Sequence, residues 1–314
     1  MKGLSGSFGS RRISPVRLGA ALAAGVVGAA FIFSRVRRAR RNSLRERVAI
    51  VTGGSRGLGL LVAEELARAG CRLVICARDP RELASARDHL SELTEVLAVT
   101  CDVSNHADVE RLVSRAMTRF GRVDVLVNNA SIIQVGPLDA TTLEDFERAL
   151  AVNFWGTVHA TLEVLPHMKG RGDGRVVNIA SIGGKVAVPH LLPYDCAKFA
   201  VVGFSEGLRA EVAEHGISVT TVVPGLMRTG SETHAEYKTP GDEQWFGVAA
   251  RLPGLTIDAR RAARTIVAAA KRRQDEVVVG PPAKVLRFLH DLFPSTTMRA
   301  LSLGNRMLPR AKSA

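Results

Sequence analysis

Val48–Gly70 reads VAIVTGGSRGLGLLVAEELARAG. Its first five residues form an unbroken apolar, largely β-branched run, the composition of a strand buried on both faces. LGLLVAEELARAG (58–70) then carries apolar residues at helical spacing and closes on Gly70, a helix stop signal. The turn between them is Thr52-Gly53-Gly54-Ser55-Arg56-Gly57-Leu58-Gly59. Glycines at such a junction let the backbone turn tightly and approach a pyrophosphate resting on the unpaired N–H groups of the helix start.

The alternation continues outward from this unit. CRLVICA (71–77), EVLAVTC (95–101), VDVLVN (123–128), RVVNIAS (175–181), ISVTTVV (217–223) and EVVVG (276–280) are further apolar runs. Helical patterns lie between them, near 80–91, 105–119, 142–169, 194–214 and 258–272. Near-continuous apolar strands separated by amphipathic helices predict an α/β fold. It is a Rossmann-type doubly wound sheet of about seven parallel strands with helices on both faces. Ligands in such sheets bind beyond the carboxyl ends of the strands. The longest irregular stretch, 224–257, is expected to form a mobile lid over the site.

Composition narrows the function classes. With 46% hydrophobic and 23% charged residues the 314-residue chain is not a disordered one. Cys71, Cys76, Cys101 and Cys196 form no CxxC and have no histidine-rich partner set, which argues against a disulfide scaffold or a metal site. The net charge of +13 is not spread over the fold. Residues 1–47 hold eleven basic side chains against Glu46 alone, and 299–314 hold four with no acid, so the intervening body is near neutral. A nucleic-acid-reading face is therefore disfavoured, and an anionic membrane surface suits the two basic tails better. Three segments follow: a basic tail (1–47), a dinucleotide-binding body (48–280) and an amphipathic basic extension (281–314).

Within the first tail, LGAALAAGVVGAAFIF (18–33) is uncharged and SRVRRARRNSLRER (34–47) holds seven arginines. The apolar stretch reads as an N-terminal hydrophobic helix that anchors the chain in a membrane, with flanking arginines snorkelling to lengthen a short span. The arginine bias places the body on the cytoplasmic side. An organellar targeting segment is the alternative, since no acid precedes Glu46. In the extension, AKVLRFLHDLF (283–293) gathers Val285, Leu286, Leu289, Leu292 and Phe293 on one helical face. Lys284, Arg287, His290 and Asp291 lie towards the other, and Pro294 stops the helix. Either this face caps the body and covers the substrate pocket, or it lies in a membrane interface.

Candidate chemistry collects at the strand ends. Tyr194 has Lys198 four residues on, so one helix face carries both. Ser181 ends the fifth strand, Asn128-Asn129-Ala130 the fourth, and Pro224-Gly225 the sixth, with Thr229 beyond it. Asn153 sits inside a helical stretch, an unfavourable place for asparagine unless its amide is used. With its TGxxxGxG turn, NNA, YxxxK and PGxxxT, the chain from about 48 to 280 resembles the short-chain dehydrogenase/reductase family. The resemblance implies Asn153, Ser181, Tyr194 and Lys198 as the catalytic tetrad. It implies cofactor contacts from Thr52, Gly53, Ser55, Arg56, Gly57, Leu58, Gly59, Asn129, Ala130, Tyr194, Lys198, Pro224, Gly225 and Thr229. Asp102 and Val103 match its adenine-contacting positions, although Asp102 alternatively caps the next helix. Ser131 departs from the family's usual glycine after NNA.

Ala77-Arg78 follows the second strand where an acidic residue would select NAD. The arginines Arg78 and Arg56 instead suit a 2′-phosphate, so NADP(H) is the expected cofactor; the alternative is that Arg78 merely begins a solvated helix. The implied reaction interconverts a carbonyl and an alcohol by hydride transfer, on a small and lipophilic substrate. Tyr194 is the general acid or base, Ser181 polarises the carbonyl oxygen, and the Lys198 charge lowers the phenol pKa. Lys198 also holds ribose hydroxyls, Asn153 holds a proton-relay water, and Thr229 orients the carboxamide. A 3-oxoacyl ketoreductase and a non-catalytic membrane-tethered NADP(H)-binding scaffold are the alternatives. A homodimer or homotetramer is expected through the helices at 142–169 and 194–214. Cys196 is read as a packing residue and His190 as an exposed loop residue.

Overall fold

The computed structural model describes residues 42–309 apart from 229, 231–232, 250–251, 253 and 255. Residues 18–33, with their expected anchor helix, lie outside the described residues, as does Thr229. The chain divides into two compact units, Met1–Ser43 and Leu44–Ala314, and the second holds the sheet.

Strand β1 (Val48–Thr52) leads through the glycine turn into α1 (Gly57–Arg68), then β2 (Arg72–Ala77), α2 (Pro80–Ser91), β3 (Val96–Thr100) and α3 (His106–Phe120). The second half runs β4 (Val125–Asn128), α4 (Leu143–Ala149), α5 (Gly156–Arg171), β5 (Gly174–Ile179), α6 (Leu192–Val212) and β6 (Ile217–Pro224). It ends with α7 (Pro240–Ala249), α8 (Ala259–Arg272), β7 (Glu276–Val279), α9 (Pro281–Leu292) and α10 (Pro294–Asn305). The strands form one parallel sheet in the order β7-β6-β5-β4-β1-β2-β3. This is the expected doubly wound architecture.

Alternate residues of each central strand face opposite layers. Ala49 and Val51 of β1 pack with Val62 and Leu66 of α1 and Ile266 of α8. Val48 and Ile50 pack with Leu112 of α3 and Val164 of α5 on the other side. Every residue of β1 is buried, which is why its sequence is a continuous apolar run rather than an alternating one. The chain order reverses between β4 and β1, and a cleft opens there at the strand ends.

Three stretches differ from the sequence reading. The helix expected over 142–169 is broken by a π turn at Leu150–Trp155 between α4 and α5. The stretch 224–257 is not irregular throughout. It contains α7, and the short strands Met227–Arg228 and Glu236–Tyr237 pair with Ile257–Asp258 and Gln134–Val135. Pro294 does end α9, but it also opens α10, where its missing N–H costs nothing. Among the described residues no helix is long and apolar enough to cross a membrane.

Candidate active site

The cleft at the strand ends has a volume of about 830 Å³ and is lined at one end by Gly53, Ser55, Arg56, Gly57, Leu58 and Gly59. Gly53 (φ 63°) and Gly57 (φ 55°) take left-handed backbone. A Cβ on Gly59 would lie 2.0 Å from the Gly53 carbonyl oxygen, so helix and turn can touch only through glycine. Arg56 occupies the N-cap of α1 with no side-chain cap bond. The first turn of this 12-residue helix, whose N–H groups receive no bond from the Arg56 side chain, lines the cleft through Gly57, Leu58 and Gly59. That donor set fits the diphosphate of a dinucleotide.

Thr52 does not line this cleft. It is buried, and its hydroxyl oxygen accepts from the backbone N–H of Asn129 (3.0 Å) and Ala130 (3.1 Å). Asn129 in turn donates from its amide to the carbonyls of Thr52 and Gly53, each at 3.1 Å. Thr52 thereby has a positioning role: it locks the NNA segment, whose Asn129 and Ala130 line the cleft, against the glycine turn.

Beyond β2, Arg78 is exposed on the cleft wall and has no ion-pair partner among the described residues. Arg56 is engaged, donating to Glu82 at 2.7 Å, and Glu82 also accepts from Ser55. Asp102 and Val103 line the same end. Asp102 accepts from the backbone and hydroxyl of Ser104, while Asn105 caps α3. The capping alternative for Asp102 is excluded.

At the other end Ser181, Tyr194 and Lys198 converge on the cleft, with Pro224 and Gly225 beside them. Lys198 is buried, donates to the Ile179 carbonyl at 2.9 Å and lies 5.6 Å from the centre of the Tyr194 ring. Burial pulls its pKa down to about 7. The Tyr194 phenol is pushed up to about 12 by burial, against a lowering hydrogen bond from Ser181 and with a further raising effect of Asp195. In the ligand-free chain desolvation is the largest influence on both groups. Asn153 lies in the π turn, buried behind the wall: its Oδ1 accepts from Ile132 N–H (2.8 Å) and its Nδ2 donates to Ile132 C=O (3.1 Å). The wide turn aims this amide at the backbone beside the cleft.

Residues 47–239 match the short chain dehydrogenase family. The chain is a short-chain dehydrogenase/reductase. It is 31% identical over 290 residues to "Dehydrogenase/reductase SDR family member 7B" of Danio rerio, covering 90% of this chain and 93% of that protein. A Streptomyces coelicolor protein provisionally named a ketoacyl reductase is 40% identical over 185 residues, 58% of this chain and 71% of its own. The crystal structure of levodione reductase superposes with a TM-score of 0.69 at 28% identity, covering 77% of this chain and 98% of that one. The family binds a nicotinamide dinucleotide and acts on small alcohols and carbonyls.

This short-chain dehydrogenase/reductase draws part of its cleft wall from 224–257, the stretch expected to lie over the site. Trp245 and Phe246 of α7 line the cleft, with Ile133, Val188 and Leu226. Thr239-Pro240-Gly241-Asp242 is a helix start legible in principle: Thr239 and Asp242 exchange backbone and side-chain bonds in a capping box with proline at the first turn. His190 is not exposed. It is 8% accessible, has φ 67°, and its Nδ1 lies 2.8 Å from Asp242 Oδ1, tying the loop before α6 to α7. Cys196 is exposed rather than packed. Asp195 is buried, with Oδ2 accepting from Val188 N–H at 2.6 Å and Oδ1 lacking a partner among the described residues, and burial raises its pKa to about 8.

Proposed function

We propose that this chain reduces a lipophilic carbonyl to its alcohol, reversibly, with NADP(H). The observation that carries the reading is one cleft holding, at one end, a helix start without a side-chain cap and Arg78, which has no ion-pair partner among the described residues, and at the other Tyr194, Ser181 and Lys198. When bound, the dinucleotide supplies or accepts the hydride. Gly57, Leu58 and Gly59 hold its diphosphate, Arg78 its 2′-phosphate, and Lys198 its ribose hydroxyls. Tyr194, protonated at neutral pH, gives its proton to the carbonyl oxygen that Ser181 orients. Asn153 acts through Ile132, since both amide atoms are engaged there. Apolar walls at Ile133, Val188, Leu226, Trp245 and Phe246 favour a substrate of low polarity.

Residues 18–33 anchor the chain in a membrane and leave the catalytic body on the cytoplasmic side; carbonate extraction and protease protection of the full chain test this. Self-association uses the outer faces of α5 and α6, where Leu162 and Phe199 are exposed. The Streptomyces coelicolor relative favours a second reading, reduction of a 3-oxoacyl thioester. The deciding experiment is a panel of steroid, retinoid, fatty-acyl, 3-oxoacyl thioester and small ketones with NADPH and with NADH. Turnover of an apolar ketone with NADPH is the expected result. A preference for NADH defeats the cofactor assignment, and no turnover of any carbonyl defeats the enzyme.

A further inference from the structure

Helix α9 carries two opposite stripes, each at i, i+3, i+4, i+7 spacing. Ala283, Leu286, Arg287 and His290 form the inward one. Ala283 is buried, Leu286 lines the cleft, and Arg287 pairs with Glu276 of β7 and with Asp291. Part of the polar side of the helix is therefore what faces the body. The outward stripe is Val285, Phe288, Leu289 and Leu292, with accessibilities of 57, 61, 44 and 54%, and Phe293 adjoins it at 57%. Capping the body accounts for Ala283 and Leu286 only. It leaves a valine, two phenylalanines and two leucines bare, an arrangement that marks an interaction surface.

Helix α10 extends the pattern. Leu301 lines the cleft, while Leu303 (60%) and the following Met307 (88%) are exposed. The charge around this face is mostly positive: the one acid of α9, the exposed Asp291, is paired with Arg287 of the same helix. Lys284, Arg299 and Arg306 are exposed, and no acidic residue follows Asp291 in the chain. We propose that the outer face of α9, continued by α10, docks in the plane of an anionic lipid surface, with its apolar side chains among the acyl chains and its cations on lipid phosphates. A second copy of the chain would meet the same excess of positive charge, which disfavours it as the occupant.

One consequence rests on the carbonyl-reductase reading proposed for the cleft. Leu286 and Leu301 line the cleft from the inner side of the same two helices, so the docked surface forms one wall of the substrate entrance. A ketone dissolved in the acyl chains then reaches Tyr194 without crossing bulk water.

The test uses the full chain carrying Phe288→Trp, an exposed apolar replacement outside the cleft, beside the wild type with its native Trp155 and Trp245. Both are mixed with vesicles of phosphatidylcholine and phosphatidylglycerol bearing brominated acyl chains, and with neutral vesicles of phosphatidylcholine alone. The expected result is cosedimentation with the anionic vesicles, a blue shift of the emission and stronger quenching in the variant than in the wild type. Three outcomes overturn the proposal: a chain that sediments with the vesicles but shows no added quenching from the introduced indole, a chain that stays in the supernatant, and an introduced indole whose emission is already blue-shifted before vesicles are added. The last would mean that another copy or another part of the chain covers the face. Reduction of a water-soluble ketone, measured without vesicles, reports the proposed chemistry separately, so failure of docking and failure of that reading are distinguishable.

Discussion

Arg56 Nη1 donates to Glu82 Oε1 at 2.7 Å, so of the two arginines at the turn end of the cleft only Arg78 has no anionic partner among the described residues. The pair is solvent-exposed and weak in itself, but it sets a carboxylate at the end of the cleft where the proposed function puts a 2′-phosphate.

Arg78→Ala should therefore lower kcat/KM for NADPH by about 10–100-fold and leave NADH nearly unchanged, the scale of a hydrogen bond to a charged group. Glu82→Gln should move the ratio the other way by removing repulsion and freeing Arg56. Steady-state kinetics with both dinucleotides check both variants; equal losses for NADPH and NADH in Arg78→Ala would show that the side chain does not discriminate.

Tyr194→Phe should lose at least about a hundredfold in kcat, because the proton donor is gone while the ring remains. Dinucleotide affinity, followed by fluorescence titration, should persist. Undiminished turnover would remove Tyr194 from the mechanism.

Asp195 predicts a pH-dependent stability effect. Its folded pKa of about 8 lies above the ordinary carboxylate value of 3.8, so the folded state favours the protonated form. Below about pH 4 both states are protonated and there is no penalty. Between about pH 4 and 8 the unfolded chain ionises first, and stability declines as pH rises. The Tm difference between Asp195→Asn and wild type should accordingly grow in the variant's favour across that window. A difference that stays constant there would contradict the assignment.

Thr52→Val keeps the shape of the side chain but deletes the acceptor for two backbone N–H groups. It should cost about 1–3 kcal/mol in urea unfolding and weaken dinucleotide binding more than it lowers kcat. A loss confined to kcat would instead place Thr52 at the reacting atoms.

How much was legible in the sequence depends on what each feature rests on. The strand at Val48–Thr52, the turn to Gly59 and the Tyr194–Lys198 spacing are local properties: burial on both faces demands a continuous apolar run, and i,i+4 places two side chains on one helical face. The sheet and the gathering of Ser181, Tyr194, Asn129 and Gly225 at one edge follow from that alternation, since parallel strands share one carboxyl end. The use of Thr52 to hold Asn129, the π turn that sends Asn153 to Ile132, the burial of His190 on Asp242 and the outward turn of the apolar stripe of α9 were decided by the tertiary structure alone. Each depends on a partner from another part of the fold. Helical periodicity states that α9 has an apolar and a polar side, but not which side meets the protein; that is set by Glu276 and the cleft wall, where Arg287 and Leu286 find their contacts.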